Sequence, residues 1–321
     1  MSDKQEDIVQ HQAGLPQGRS AFLFPGAGVE TLAEDARFHL DHRTVIRPLL
    51  DEASDRIGSD LIAAASGDGM DRLGPLAQQV LTYAFGVGVA RVVESGAGPA
   101  SFTAGHSLGV YGAVVAAGSM SFLDGLEVLI EAYRLAEDSC RGRAGATLAV
   151  AGLTESDVLR ILEHADTSGA RKVISNHGWL SVVSGHLNAV EAFHRRSEVE
   201  GAARLVWLDS KIAWHNPEVL TGVSDLLSRF IGTVGINDPL IPVVSTIDAR
   251  VLRTASDVAD LLGRNIATPI RWDSALAVLS EAGVASAYEC GPGDTLTRMA
   301  RFVEGAPTHW PVRRLVRRGL I

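Results

Sequence analysis

The segment TAGHSLGVYGAVVAAG, residues 103–118, sets Ser107 between Gly105 and Gly109. Gly-x-Ser-x-Gly is the pattern of a nucleophile elbow. A tight strand-to-helix turn lifts the serine hydroxyl out of a sheet, and a side chain on either flank would clash in that turn. The pattern by itself is weak in a chain with 33 glycines, and an ordinary structural turn is the other reading. Its context strengthens it. A strand-like SFTAG precedes the serine and a run of small helical residues follows. The first free amides of such a helix would face negative charge developing beside Ser107.

A serine nucleophile needs a base and a cradle for the oxyanion. FLFPGAGVE, residues 22–30, ends a strand at Pro25–Gly26 and offers the Ala27 amide, provided the two turns meet. Gly26-x-Gly28 lacks the third glycine of a dinucleotide fingerprint. The base is one of ten histidines. His215, in KIAWHNPEV, stands before a proline-marked helix start. His106 adjoins the serine and should point away from it, and His309 lies where a conventional α/β-hydrolase triad keeps its histidine. The residues alone leave that choice open.

Strand-like and helical runs alternate around these segments, the pattern of an α/β domain with a largely parallel sheet. SAFLFPG reads as a buried strand, and QQVLTYAFGVGVARVVE as a helix packed closely through Gly86 and Gly88. From residue 146 to 208 the order is strand ATLAVAGL, helix ESDVLRILEHA, strands RKVISN and LSVVSG, helix LNAVEAFHRRSEVE, strand ARLVWL. That βαββαβ order is the ferredoxin-like unit. The α/β pattern resumes with IPVVST, ALAVLSEAG and ASAYECGPG. The expected architecture is a hydrolase-like α/β catalytic domain, residues 19–145 and 209–321, holding a small ferredoxin-like α+β domain, residues 146–208. Residues 1–18 read as a flexible tail.

With 321 residues, 46% of them hydrophobic and 21% charged, the chain can bury a sizeable core. A net charge of -9 argues against nucleic-acid binding but leaves room for a local basic patch. Such a patch stands between residues 298 and 318, where Arg298, Arg301, Arg313, Arg314, Arg317 and Arg318 face one acid, Glu304. Cys140 and Cys290 are far apart, with no metal-ligand spacing and no disulfide framework, which suits a reducing cytoplasm. The start lacks the blocks of a signal peptide, and no apolar run is read as reaching the roughly 18 residues of a membrane span. The expectation is a cytoplasmic protein without membrane contact or metal.

In chain order, these segments resemble the malonyl-CoA:acyl carrier protein transacylase family and the acyltransferase domains of polyketide synthases, in a free-standing form. FLFPGAG is similar to the family's FPGQG turn and GHSLGVYGAVVAAG to its GHSLGEYAAL elbow. SNHGWLSVVSG matches its small-domain asparagine segment, IAWHNP its x-A-x-H motif, and YECGPGDTLTRM its EvGPg-x-vL signature. IPVVSTIDA matches the segment whose backbone carbonyl orients the histidine.

The resemblance implies a Ser–His dyad and a ping-pong reaction in a polyketide-type pathway. Ser107 would attack an acyl thioester, of coenzyme A or a carrier protein, while His215 takes its proton and the amides of Ala27 and Leu108 hold the oxyanion. The phosphopantetheine thiol of an acyl carrier protein would then accept the acyl group. No bound cofactor is implied. The acyl pocket would include Val110, Ala132, Trp214 and Asn176, and the carrier surface Arg298, Arg301, Arg313 and Arg314. Arg171, Lys172, Arg195 and Arg196 would form the opposite lip.

Ala132 falls where the family keeps an arginine for the malonyl carboxylate, and Arg134, two residues on, is about 200° around the helix. A carboxylate buried without a cation is costly, so this departure favours a non-malonyl, uncharged acyl group, with malonyl transfer as the alternative. Thioester hydrolysis needs the same serine and oxyanion cradle and differs in admitting water. A conventional triad would use His309, and a carrier-docking protein without catalysis is a third reading.

Overall fold

The computed structural model describes residues 18–27, 33–66 and 72–319, so the tail expected at the N-terminus lies outside the described residues except for Gly18. Strand β1 (Arg19–Phe24) buries its last four residues in succession, as a strand covered on both faces does. It pairs in parallel with β2 (Phe102–Gly105) on one side and with β10 (Val284–Glu289) on the other. The sheet runs β11 (Thr308–Pro311), β10, β1, β2, β7 (Val243–Val244), β8 (Val251–Leu252). Among the described residues of this sheet, only the β7–β8 pair is antiparallel.

Between residues 145 and 208 the chain runs strand, helix, strand, strand, helix, strand, with one short 3₁₀ turn after the first helix. The strands are β3 (Gly145–Ala151), β4 (Arg171–His177), β5 (Leu180–His186) and β6 (Arg204–Leu208). They pair antiparallel in the order β6-β3-β5-β4, and β9 (Ile270–Arg271) adds in parallel beside β4. The helices Glu155–Leu162 and Leu187–Val199 bury Val158, Ile161, Val190 and Phe193 against Leu148, Val150 and Val183. The two sheets meet through a shared cluster, with Leu23 and Ala104 from the first, Val173, Ile174 and Val182 from the second, and Trp272 among them.

The Pro75–Ala97 helix corrects one expectation. It is long and apolar enough by composition to cross a membrane, yet 78% of its most apolar window is buried inside the fold. Proline at its first turn loses no helical hydrogen bond, and an all-round apolar helix belongs in a core. Its glycines set its depth. A Cβ on Gly86 would stand 2.7 Å from the Cys290 carbonyl, and one on Gly88 2.9 Å from Ile46 Cγ1.

Candidate active site

Strand β2 ends at Gly105 and the helix Gly109–Ala116 begins four residues later, leaving Ser107 at the apex with φ +53°. A left-handed non-glycine residue costs about 1–3 kcal/mol and persists only where its surroundings enforce it. Here they do. The His106 amide donates to the Phe24 carbonyl at 2.9 Å. A Cβ on Gly105 would overlap the Gly109–Val110 backbone, and one on Gly109 would overlap the Phe24 carbonyl. Both glycines of the motif are therefore steric requirements of this turn.

The Ser107 hydroxyl is 2.7 Å from His215 Nε2. His215 Nδ1 lies 2.7 Å from the main-chain carbonyl of Asn265. A carbonyl can only accept, so Nδ1 carries the proton and Nε2 presents its lone pair to the serine. Asn265 also donates from Nδ2 to the Ser107 carbonyl at 3.3 Å, and the His215 amide donates to Ile266 at 2.9 Å. Burial pulls the His215 pKa down to about 4, against the opposing bonds to the carbonyls of Asn265 and Thr268. The imidazole is thus neutral at pH 7 and able to take a proton.

The carbonyl that orients this histidine does not come from IPVVSTIDA. That segment forms the short β7 and its turn, and its Thr246 hydroxyl braces the Gly105 carbonyl at 3.3 Å. The helix Ala255–Asn265 instead ends beside His215, where its last carbonyls have no helical partner.

The dyad opens into a cleft of about 550 Å³ between the two sheets, and both Ala27 and Leu108 line it. Leu129, Ala132 and Tyr133 form one wall, with Tyr111 and Trp214 beside them. Ala132 is 2% exposed. Arg134 stands on the outer face of the same regular helix, Phe122–Ser139, 53% exposed and bound to Glu131 and Asp138. Trp214 is held by its Nε1–H on Ser210 Oγ at 2.8 Å, and its ring tilts against Tyr133. Asn176 accepts from His106 Nε2–H at 2.8 Å, which turns His106 away from the serine hydroxyl. The β4–β5 register shifts across Asn176, and a bulge of this kind re-aims a side chain.

Several expected positions fall elsewhere. Val110 is buried in the core rather than on the cleft wall, because Leu108 and Tyr111 take the cleft-facing stripe of that turn. Arg298 lines the cleft, whereas Arg301, Arg313 and Arg314 line a separate pocket with Arg317 and Arg318. None of Arg171, Lys172, Arg195 and Arg196 reaches the cleft. Arg171 pairs with Glu218, Lys172 with Glu155 and Arg196 with Asp166. Arg204 is the small-sheet cation on the cleft instead. His309 binds the Pro307 carbonyl through Nδ1 at 2.7 Å and is not among the cleft residues.

Asn265 escaped the sequence reading although it carried a signal. It is a polar residue on the apolar stripe of Val258, Leu261 and Leu262. Tyr111, whose hydroxyl bonds to the Asn265 side chain, was hidden in a run of small apolar residues.

A scan against protein-family models returns no match. Among curated proteins, the chain is 27% identical over 286 residues to the malonyl CoA-acyl carrier protein transacylase of Escherichia coli K12, covering 88% of this chain and 92% of that one. It is 31% identical over 285 residues to the polyketide biosynthesis protein ThaF of Burkholderia thailandensis, covering 88% of this chain but 24% of that one. An acyl-carrier-protein S-malonyltransferase from Burkholderia pseudomallei superposes with a TM-score of 0.84 at 28% identity, over 92% of this chain and 96% of that one. A malonyl-transacylase solved with a type II polyketide synthase acyl carrier protein gives 0.82 at 26% identity, over 92% and 96%. With the order of its motifs preserved over that length, the chain is similar in sequence and in fold to malonyl-CoA:acyl carrier protein transacylases.

Proposed function

We propose that the protein carries an acyl group from a thioester donor to the phosphopantetheine thiol of an acyl carrier protein, through an ester on Ser107. The observation that carries this reading is the 2.7 Å contact of Ser107 Oγ with His215 Nε2, whose other nitrogen is tied to a carbonyl. In the first half-reaction the hydroxyl proton passes to Nε2 as Oγ bonds to the thioester carbon. The Ala27 and Leu108 amides take the oxyanion, and the C–S bond breaks as the imidazolium protonates the departing thiolate. The carrier thiol then repeats the sequence in reverse. It gives its proton to His215, attacks the acyl-serine ester, and the proton returns to Ser107.

An acyl carrier protein as partner is supported by the relatives' names and by the complex in which one of them was solved. The kinship to ThaF supports a polyketide setting. Those same names support malonyl as the transferred group and so the malonyl-CoA:acyl carrier protein transacylase reading. One observation favours an uncharged group: the wall offers Ala132 and Leu129, and Arg134 is turned outward. We read the 145–208 unit, with its β6-β3-β5-β4 order, as a ferredoxin-like cap over a hydrolase-like sheet.

Intact-protein mass spectrometry after incubation with malonyl, acetyl and bulkier acyl thioesters tests the proposal. An acyl adduct on Ser107 that holo carrier protein discharges is expected. An adduct elsewhere overturns it. An adduct that water removes as fast as the carrier does would make the enzyme a thioester hydrolase.

A further inference from the structure

The helix Thr295–Ala300 forms one lip of the cleft, to which Thr295, Leu296, Arg298 and Met299 contribute. The turn after it carries Phe302, which is 70% exposed and stacks on His177 of β4 with ring centroids 5.0 Å apart. Both rings line the cleft, so the helix and β4 meet across its mouth. A six-residue helix does not hold such a place by itself. Its first amides have no helical partner and need an acceptor.

The sequence offers Asp294 for that task, at the N-cap position where aspartate is favoured. Its side chain does not cap the helix. The carboxylate pairs instead with Arg298 at 3.3 Å and with Arg313. The orphan amides turn to Glu289, the last residue of β10. Glu289 Oε1 accepts from the Leu296 amide at 2.8 Å, and Oε2 accepts from the Thr297 amide at 2.9 Å and the Thr297 hydroxyl at 2.5 Å. Glu289 is fully buried, and among the described residues no cation pairs with it. A buried carboxylate without a cation is costly, and an apolar side chain would fill the same space without that cost. The hydrogen bonds that offset it all run to the helix of the lip.

We propose that Glu289 is a positioning residue for acyl transfer: by fixing Leu296 and Thr297 it sets the lip of the cleft, and so the affinity for the thioester donor, without touching the reacting atoms. The proposal rests on the acyl-transfer reading above. The turn of Ser107 is held by its own glycines and by Phe24, and His215 by Asn265 and Ile266, none of which lies on this helix. Loosening the lip therefore weakens donor binding and leaves the dyad in place.

Single-turnover acylation of the full chain by malonyl, acetyl and hexanoyl coenzyme A at varied concentration tests it. Working at about pH 8 keeps the carboxyl ionised, since burial pushes the Glu289 pKa up to about 7. Glu289→Gln keeps the side chain's shape but gives up one of its two acceptor oxygens. The half-saturating donor concentration should rise about tenfold, as fewer chains hold the lip in place, while the limiting rate stays unchanged. Hydrogen exchange at the Leu296 and Thr297 amides should quicken in the same variant. Thr297→Val removes the hydroxyl's bond alone and should raise half-saturation about threefold, with Thr297→Ser restoring the wild-type value. That pair decides the matter if Glu289→Gln does not fold. Unchanged half-saturation in the folded variants, with or without a slower limiting rate, overturns the proposal, because the carboxylate then serves the fold alone. A wild type that none of the thioesters acylates overturns the acyl-transfer reading instead. Exchange then judges Glu289 by itself: unchanged exchange in Glu289→Gln overturns its hold on the helix, and faster exchange upholds it.

Discussion

His215 donates its Nδ1–H to the Asn265 main-chain carbonyl at 2.7 Å, where a hydrolase triad would hold a carboxylate. A carbonyl fixes the tautomer and the ring plane but brings no full charge to stabilise an imidazolium. Burial then dominates and brings the His215 pKa to about 4. Acylation in single turnover is expected to be flat from neutral pH down to about 5 and to fall below that with the His215 ionisation. A limb near the ordinary histidine value of about 6.5 would show that a charged partner reaches the ring.

The same ionisation sets a stability trend. In the unfolded chain this histidine takes up its proton near pH 6.5, and in the folded chain only near pH 4. Between those values the unfolded state binds more protons, so stability is lost as pH falls through the window. His106 and His309, also pulled down by burial, act in the same direction. Urea midpoints should drop between pH 7 and pH 5. His215→Gln should flatten part of that drop, and an equal drop in the variant would remove His215 as its source.

Ser107→Ala is expected to abolish the acyl adduct without unfolding the chain, because the elbow is held by backbone sterics rather than by the hydroxyl. His215→Ala should slow acylation about 10²–10⁴-fold, the usual contribution of a general base. Unchanged acylation in that variant would mean that another base serves Ser107.

Much of this site was legible because it rests on local steric rules. Gly105, Ser107 and Gly109 are fixed by one turn, and the resemblance of IAWHNP to the family's x-A-x-H motif brought His215 to them. The parts that stayed hidden depend on contacts between distant segments. Nothing in GRNIATPI announces that the Asn265 carbonyl ends a helix against His215. Arg204 and the arginines near the C-terminus look alike in composition. Only packing around the Thr295–Ala300 helix divides Arg298 from Arg301 and sends them to different pockets. Val110 was misplaced because one helical step of 100° separates a cleft wall from a core.

The elbow itself can be tested without substrate. Gly109→Ala should destabilise the fold by about 1–3 kcal/mol or more, since the added methyl overlaps the Phe24 carbonyl of a central strand. Gly178→Ala, which meets nothing within 4 Å, is the control and should change stability by less than about 0.5 kcal/mol. Similar denaturation midpoints for the two variants would mean that the turn relaxes easily.

The last prediction concerns the acyl group. Ala132 lines the cleft wall, and Arg134 is committed to Glu131 and Asp138 on the outer face. A charged hydrogen bond to a buried carboxylate is worth about 1.5–3 kcal/mol, so its absence should cost malonyl loading roughly ten- to a hundredfold relative to an uncharged acyl group. Ala132→Arg should recover part of that factor and obstruct bulkier groups, because a guanidinium would fill the space between Leu129 and Tyr133. Arg134→Ala should change neither donor. If the wild type loads malonyl faster than every neutral donor, the carboxylate has found a cation. Arg204 and Arg298, the arginines that line the cleft, are then the residues to replace. Loss of malonyl loading in one of those variants, with neutral loading kept, would locate it.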